Sequence, residues 1–183
     1  MVGILHGGPT HSYYSQVSQY IMKVAITASD AFVAPYIIDA LGDSAVVIPD
    51  EMLEDSMALD VMLTPCNALI HINSRPVNTS VARNDREVKI MMREAARPVL
   101  DAVNRHGELH MIIVGTLRVH PPWSPGDDYY GPESSLSPRD TAAEGQLWIE
   151  ENALERAESG RPVSVIRASN VQGVPLEGPP GNG

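Results

Sequence analysis

The chain has 183 residues, enough for one domain with a buried core, and its 43% hydrophobic share is that of an ordinary globular protein. A net charge of −10 sets it against nucleic acid and anionic lipid, because an acidic surface gains nothing from either polyanion. The single cysteine, Cys66, excludes an intrachain disulfide and a thiolate metal cluster, and with no apolar run of membrane-crossing length the expected setting is cytoplasmic.

Residues 1–21, "MVGILHGGPTHSYYSQVSQYI", lack the basic start and continuous apolar segment of a secretion signal and read as a flexible arm. "KVAIT" (23–27) is a short apolar strand, and "FVAPYIIDAL" follows with helical spacing until Gly42 stops it. Pro35 belongs in the first turn of that helix, where a missing amide hydrogen costs nothing. "AVVIPD" is a second strand ending in an acid, Asp50, "EMLEDSMALDVMLTP" has room for a short helix, and "NALIHIN" is a third strand. The spacing of apolar residues over 81–106 predicts a long amphipathic helix, bent or interrupted at Pro98 and ended by Gly107. "HMIIVGT" is a buried strand, 141–158 a helix closed by Gly160, and "PVSVIRASNV" a last strand. The tail from 175 to 183 is proline and glycine throughout and is expected to be disordered. Strict alternation of short apolar strands with helices predicts an α/β fold: one domain, residues 22–174, with a doubly wound parallel sheet.

Four segments in this order resemble the extended short-chain dehydrogenase/reductase superfamily, the nucleotide-sugar epimerases and dehydratases. "MKVAITASDAFVAPYIIDAL" is similar to the family's opening strand, glycine turn and helix. "NALIHIN" is similar to its strand ending His-Leu-Ala-Ala, "IIVGTLRVHP" to Ser-Ser-x-x-Val-Tyr-Gly, and "VIRASNVQG" to Arg-Pro-Ser-Asn-Val-Tyr-Gly. The resemblance implies a Rossmann-like domain whose family cofactor is NAD(P), with Ala28, Asp30, Ala31, Asp50 and His71 at cofactor positions. It also implies a nucleotide-sugar site built largely by a C-terminal lobe beyond the last matched motif, with no counterpart in this chain.

The glycine turn departs from the family pattern, carrying Ala28, Ala31 and Ala34 where glycines stand. A methyl at the first two positions falls where the chain needs a glycine conformation or where a phosphate oxygen should lie, whereas alanine at the third is harmless. The Asp30 carboxylate is placed to cap the free amides at the positive end of the helix and to repel a diphosphate. The expectation is therefore that no cofactor binds. Asp50 matches the family's ribose-binding acid and reads equally as a solvated strand-end carboxylate.

The family's catalytic set is a Ser or Thr, a Tyr, and a Lys four residues later. Thr116 matches the hydroxyl position. Counting back from Arg167 puts the Tyr position at Asp140 or Thr141 and the Lys position at Glu144 or Gly145, so neither register restores the pair. Asn170 matches a family asparagine near the substrate, and His120 replaces the tyrosine of Val-Tyr-Gly. Tyr129 and Tyr130 lie in a loop as candidate substitute acids or exposed residues. No metal is expected, since Gly107 separates His106 from His110 by a helix end. His6 and His11 read as solvated arm residues, Cys66 as a buried small hydrophobe, and the methionines as core filling.

Three functions follow. The first is a pseudoenzyme that keeps the fold and binds an unknown small ligand or protein partner. The second is a cofactor-independent acid/base enzyme using Thr116, Asp140, Glu144 and Tyr130. The third is an NAD-dependent nucleotide-sugar epimerase or reductase. The resemblance further implies a homodimer through helices 81–106 and 141–158, the latter carrying Leu147, Trp148, Ile149 and Leu154.

Overall fold

A computed structural model of the protein describes residues 22–27, 31–72, 84–122, 130–131 and 133–168. Five strands form one parallel sheet: β1 (Val24–Ile26), β2 (Ala45–Val47), β3 (Ala68–Ile72), β4 (His110–Thr116) and β5 (Val163–Ala168), in the order β2-β1-β3-β4-β5. The helices between them are α1 (Ala34–Leu41), α2 (Ser56–Leu63), α3 (Asp85–Arg105) and α4 (Thr141–Glu158).

Alternation along each strand divides the core in two. Ile26, Ile70, Ile72 and Val114 face α1, while Ala25, Leu69, Met111, Ile113, Val163 and Val165 face α2, α3 and α4. Helices pack on both faces, the expected doubly wound class, with Ile166 of β5 left exposed on the α1 side. Leu69, Met111 and Ile113 are wholly buried, each worth about 1.5–3 kcal/mol.

The helix starts follow from local chemistry. The side chains of Asp55, Asn84 and Asp140 accept hydrogen bonds from the first free amides of α2, α3 and α4. Thus α3 begins at Asp85 rather than 81, because Asn84 caps it. It runs to Arg105 uninterrupted at Pro98, where a bend or an interruption is expected. Packing of Ala96, Val99, Leu100, Ala102 and Val103 in the core holds the helix together on both sides of the missing donor. At the far end of α4, Gly160 adopts φ 76° and turns the chain toward β5.

Arg156, nearly inaccessible to solvent, closes the other end of the core. It donates from Nη1 to the Val103 carbonyl and to Asn104 Oδ1 (3.1 Å), and from Nη2 to the Leu109 carbonyl (3.1 Å), so a cation sits at the negative end of α3. No described helix is long and apolar enough to cross a membrane.

Candidate functional site

From β1 the chain crosses to β2 on one side and then to β3 on the other. The carboxyl ends of β1 and β3 therefore flank the point where strand order reverses, the place where open α/β sheets form a ligand crevice. Thr27 follows β1, His71 is near the end of β3, and Thr116 ends β4. Asp50 opens a 3-10 turn, Asp50–Met52, just beyond β2. Among the described residues the buried polar side chains are Thr27, His71, His120, Gln146, Glu150 and Arg156. All but Arg156 sit at this end of the sheet. Buried polar groups cost free energy unless paired, so their concentration here makes this end the candidate functional site.

Thr27 Oγ1 lies 2.8 Å from His71 Nδ1 and accepts the Ile72 amide at 3.3 Å, tying β1 to β3 across the switch point. Burial lowers the His71 pKa to about 4, so the ring is neutral at pH 7. Its Nε2 is buried without a hydrogen-bond partner among the described residues.

The turn into α1 corrects the argument against a cofactor. Ala31 is buried in a cluster with Ile26, Ala34 and Ile72, so its methyl packs into the core rather than occupying the place of a phosphate oxygen. Ala34, at the third motif position, is likewise wholly buried. The helix N-cap is Val33, whose side chain makes no capping hydrogen bond. Ala28 and Asp30, which carried the rest of the argument, and Asn170 lie outside the described residues.

On α4 the expected pair is placed elsewhere. Asp140 caps the helix through Ala143 N (2.9 Å) and bonds Arg118, while Glu144 is half-exposed and paired with Lys89 of α3. Each carboxylate is paired with a cation. The polar α4 side chains that reach the carboxyl end of the sheet are Gln146 and Glu150, and sequence counting missed both. A methyl on Gly115 would overlap Glu150 Oε1 and lie 2.9 Å from Gln146 Nε2. Gln146 donates to Glu150 Oε1 at 3.1 Å, and Arg167 Nε donates to Glu150 Oε2 at 2.8 Å. With Gln146 at the sheet, the residue four positions earlier is Ala142. No register on this helix supplies a tyrosine and a lysine.

His120 is buried, donates from Nδ1 to the Ser135 carbonyl (3.0 Å) and faces Arg167 Nη1 from Nε2 (3.3 Å). Tyr130 stacks on it, ring centroids 4.5 Å apart, and donates its hydroxyl to the Pro121 carbonyl. A cavity of about 420 Å³ opens beside Tyr130, walled by Leu117, Leu154, Val165 and Arg167. Thr116 Oγ1 accepts the Arg118 amide at 3.2 Å and keeps its own hydrogen to donate.

The other candidates are apart from this end. His106 contacts Asp60 (3.2 Å), whose carboxyl is held below the usual range first of all by its Arg105 hydrogen bond, while His110 pairs with Ser164 (2.9 Å). Burial pushes the Cys66 thiol up, and it donates to the Met62 carbonyl. No group of three or more His, Cys, Asp or Glu among the described residues is placed to hold a metal.

No protein-family profile matches the chain, and no curated protein matches it in sequence. Solved structures share its fold. RMD from Pseudomonas aeruginosa complexed with NADPH superposes with a TM-score of 0.65 at 18% identity, covering 81% of this chain and 54% of that one. UDP-glucuronic acid 4-epimerase from Bacillus cereus, in complex with UDP-glucuronic acid and NAD, gives 0.62 at 17%, covering 80% and 56%. A short-chain dehydrogenase/reductase superfamily protein from Agrobacterium tumefaciens with bound NAD gives 0.62 at 20%, covering 79% and 48%. The fold expected from the resemblance is thus present, and the chain spans about half the length of these neighbours. The expected absence of a cofactor is corrected: solved examples of the fold hold NADPH or NAD, and its premise at Ala31 fails.

Proposed function

We propose that this chain, which has the short-chain dehydrogenase/reductase fold, is the dinucleotide-binding half of an NAD(P)-dependent epimerase or reductase acting on a nucleotide sugar. The observation that carries the reading is the belt of buried polar side chains at the carboxyl end of the sheet, spanning the switch point from Thr27 and His71 to Glu150. Described residues at this end support a bound cofactor. The turn between β1 and α1 turns the Ala31 methyl inward, and the helix N-terminus beyond it attracts a diphosphate. Asp50, beyond β2, is the acid that would hold an adenine ribose, and the Thr116 hydroxyl has a hydrogen to donate to the reacting half of the ligand. When bound, the cofactor supplies hydride exchange with a sugar carbon. The chain's own part is to bind and orient. The acid/base alternative built on Thr116, Asp140, Glu144 and Tyr130 is the less favoured reading, since Asp140 and Glu144 are each ion-paired and lie outside the buried polar belt.

Thermal unfolding with NAD, NADH, NADP or NADPH tests the proposal. A ligand at a hundred times its Kd stabilises by about 2.7 kcal/mol, a rise of about 5–10 °C in Tm for a domain of this size. No rise with any of the four at millimolar concentration refutes it.

A further inference from the structure

Beneath the end of β4 the chain buries a carboxylate. The Glu150 side chain is fully inaccessible, and one of its oxygens occupies the space that the absent side chain of Gly115 leaves open. Its other oxygen takes Arg167 Nε, and Arg167 Nη1 reaches His120 Nε2. A guanidinium only donates, so His120 Nε2 accepts, the proton lies on Nδ1, and that proton goes to the Ser135 carbonyl. Thr116 is therefore held from both sides by one carboxylate. The residue before it rests directly on Glu150, and His120, four residues after it, is held through Arg167. Between these anchors the Thr116 hydroxyl accepts the Arg118 amide. A buried ion pair is weak evidence for stability, because apolar residues of similar volume do as well or better, so its presence under this turn calls for another role.

We propose that Glu150 is a positioning residue, acting through Gly115 on one side and Arg167 and His120 on the other to set the Thr116 hydroxyl toward the ligand crevice. The ligand-facing role of Thr116 rests on the function proposed above; the anchoring of the turn does not. Glu150→Gln keeps the shape and removes the charge, and Arg167→Lys is the second variant should the first fold poorly.

In the ligand-free protein, amide exchange at Arg118 and His120 should rise about tenfold in either variant, while Val99 and Leu100 of α3 keep wild-type protection. The imidazole nitrogen spectrum of His120 should pass from a single Nδ1–H tautomer to a mixture. The affinity for NADH should fall about tenfold, with ADP-ribose, which lacks the nicotinamide, bound as by wild type. Exchange that rises equally everywhere, or an unchanged His120 tautomer, overturns the positioning role. Equal losses for NADH and ADP-ribose overturn it as well. A wild-type protein that binds none of NAD, NADH, NADP and NADPH overturns the cofactor reading and the ligand-facing role of Thr116, leaving the exchange and tautomer results to judge the anchoring by themselves.

Discussion

Acidification should act on this fold through His71. Its pKa is about 4 in the folded protein against 6.5 ordinarily, because a charged imidazole would lose its hydration in the core. The unfolded chain therefore takes up the proton first, and stability present above pH 6.5 drains away as the pH falls through 4. A gap of about 2.5, at about 1.4 kcal/mol for each, makes the loss between pH 7 and pH 4 about 3 kcal/mol, a large part of a domain's net stability. Urea unfolding at pH 4, 5, 6 and 7 for wild type and His71→Phe isolates this contribution, since other titrating groups are common to both. The variant loses the hydrogen bond to Thr27 at every pH, but its curve should be flatter by about 3 kcal/mol over that range. Parallel curves, or an imidazole that titrates near 6.5 by NMR, would refute the reasoning.

Arg156→Met should destabilise by about 3 kcal/mol in urea, because the Val103 and Leu109 carbonyls lose a buried cationic donor; a loss under 1 kcal/mol would show that the guanidinium does not hold α3 closed. A homodimer through α3 and α4, where Ile90 is exposed and Arg93 lies over the Trp148 ring (5.1 Å), should show twice the chain mass by light scattering at tens of micromolar. Ile90→Lys should then weaken it, and a monomer throughout that range would end the dimer proposal.

The fold was legible because its signals are local. Apolar runs such as "ALIHI" and "HMIIVGT" alternate with helical segments and read as strands, whereas the caps Asp55, Asn84 and Asp140, which set where the helices start, went unread. The candidate site was legible in part. Thr116, His71 and Asp50 follow from their strands, because the ends of parallel strands are where such a sheet works. The face of α4 was not, since counting from Arg167 gives a distance along the chain and not a direction around a helix. Leu147, Trp148, Ile149 and Leu154 read together as apolar bulk for a dimer contact; of these Ile149 is buried and Leu154 exposed, and the buried face of α4 also carries Ala143, Gln146, Glu150 and Ala153. Gln146 and Glu150, one turn apart among buried apolar residues, were the signal to read. The turn at Ala31 misled for a related reason: a methyl is an obstacle only on the side it faces, and the sequence does not give the side.

The most direct test is a crystal structure of the protein grown with millimolar NADH. The account predicts a dinucleotide along the carboxyl end of the sheet, its diphosphate at the turn into α1, its adenine ribose at Asp50, and its nicotinamide half over the ends of β3 and β4 near Thr116. A crevice blocked by the protein's own side chains, or a coenzyme bound elsewhere on the surface, would contradict it.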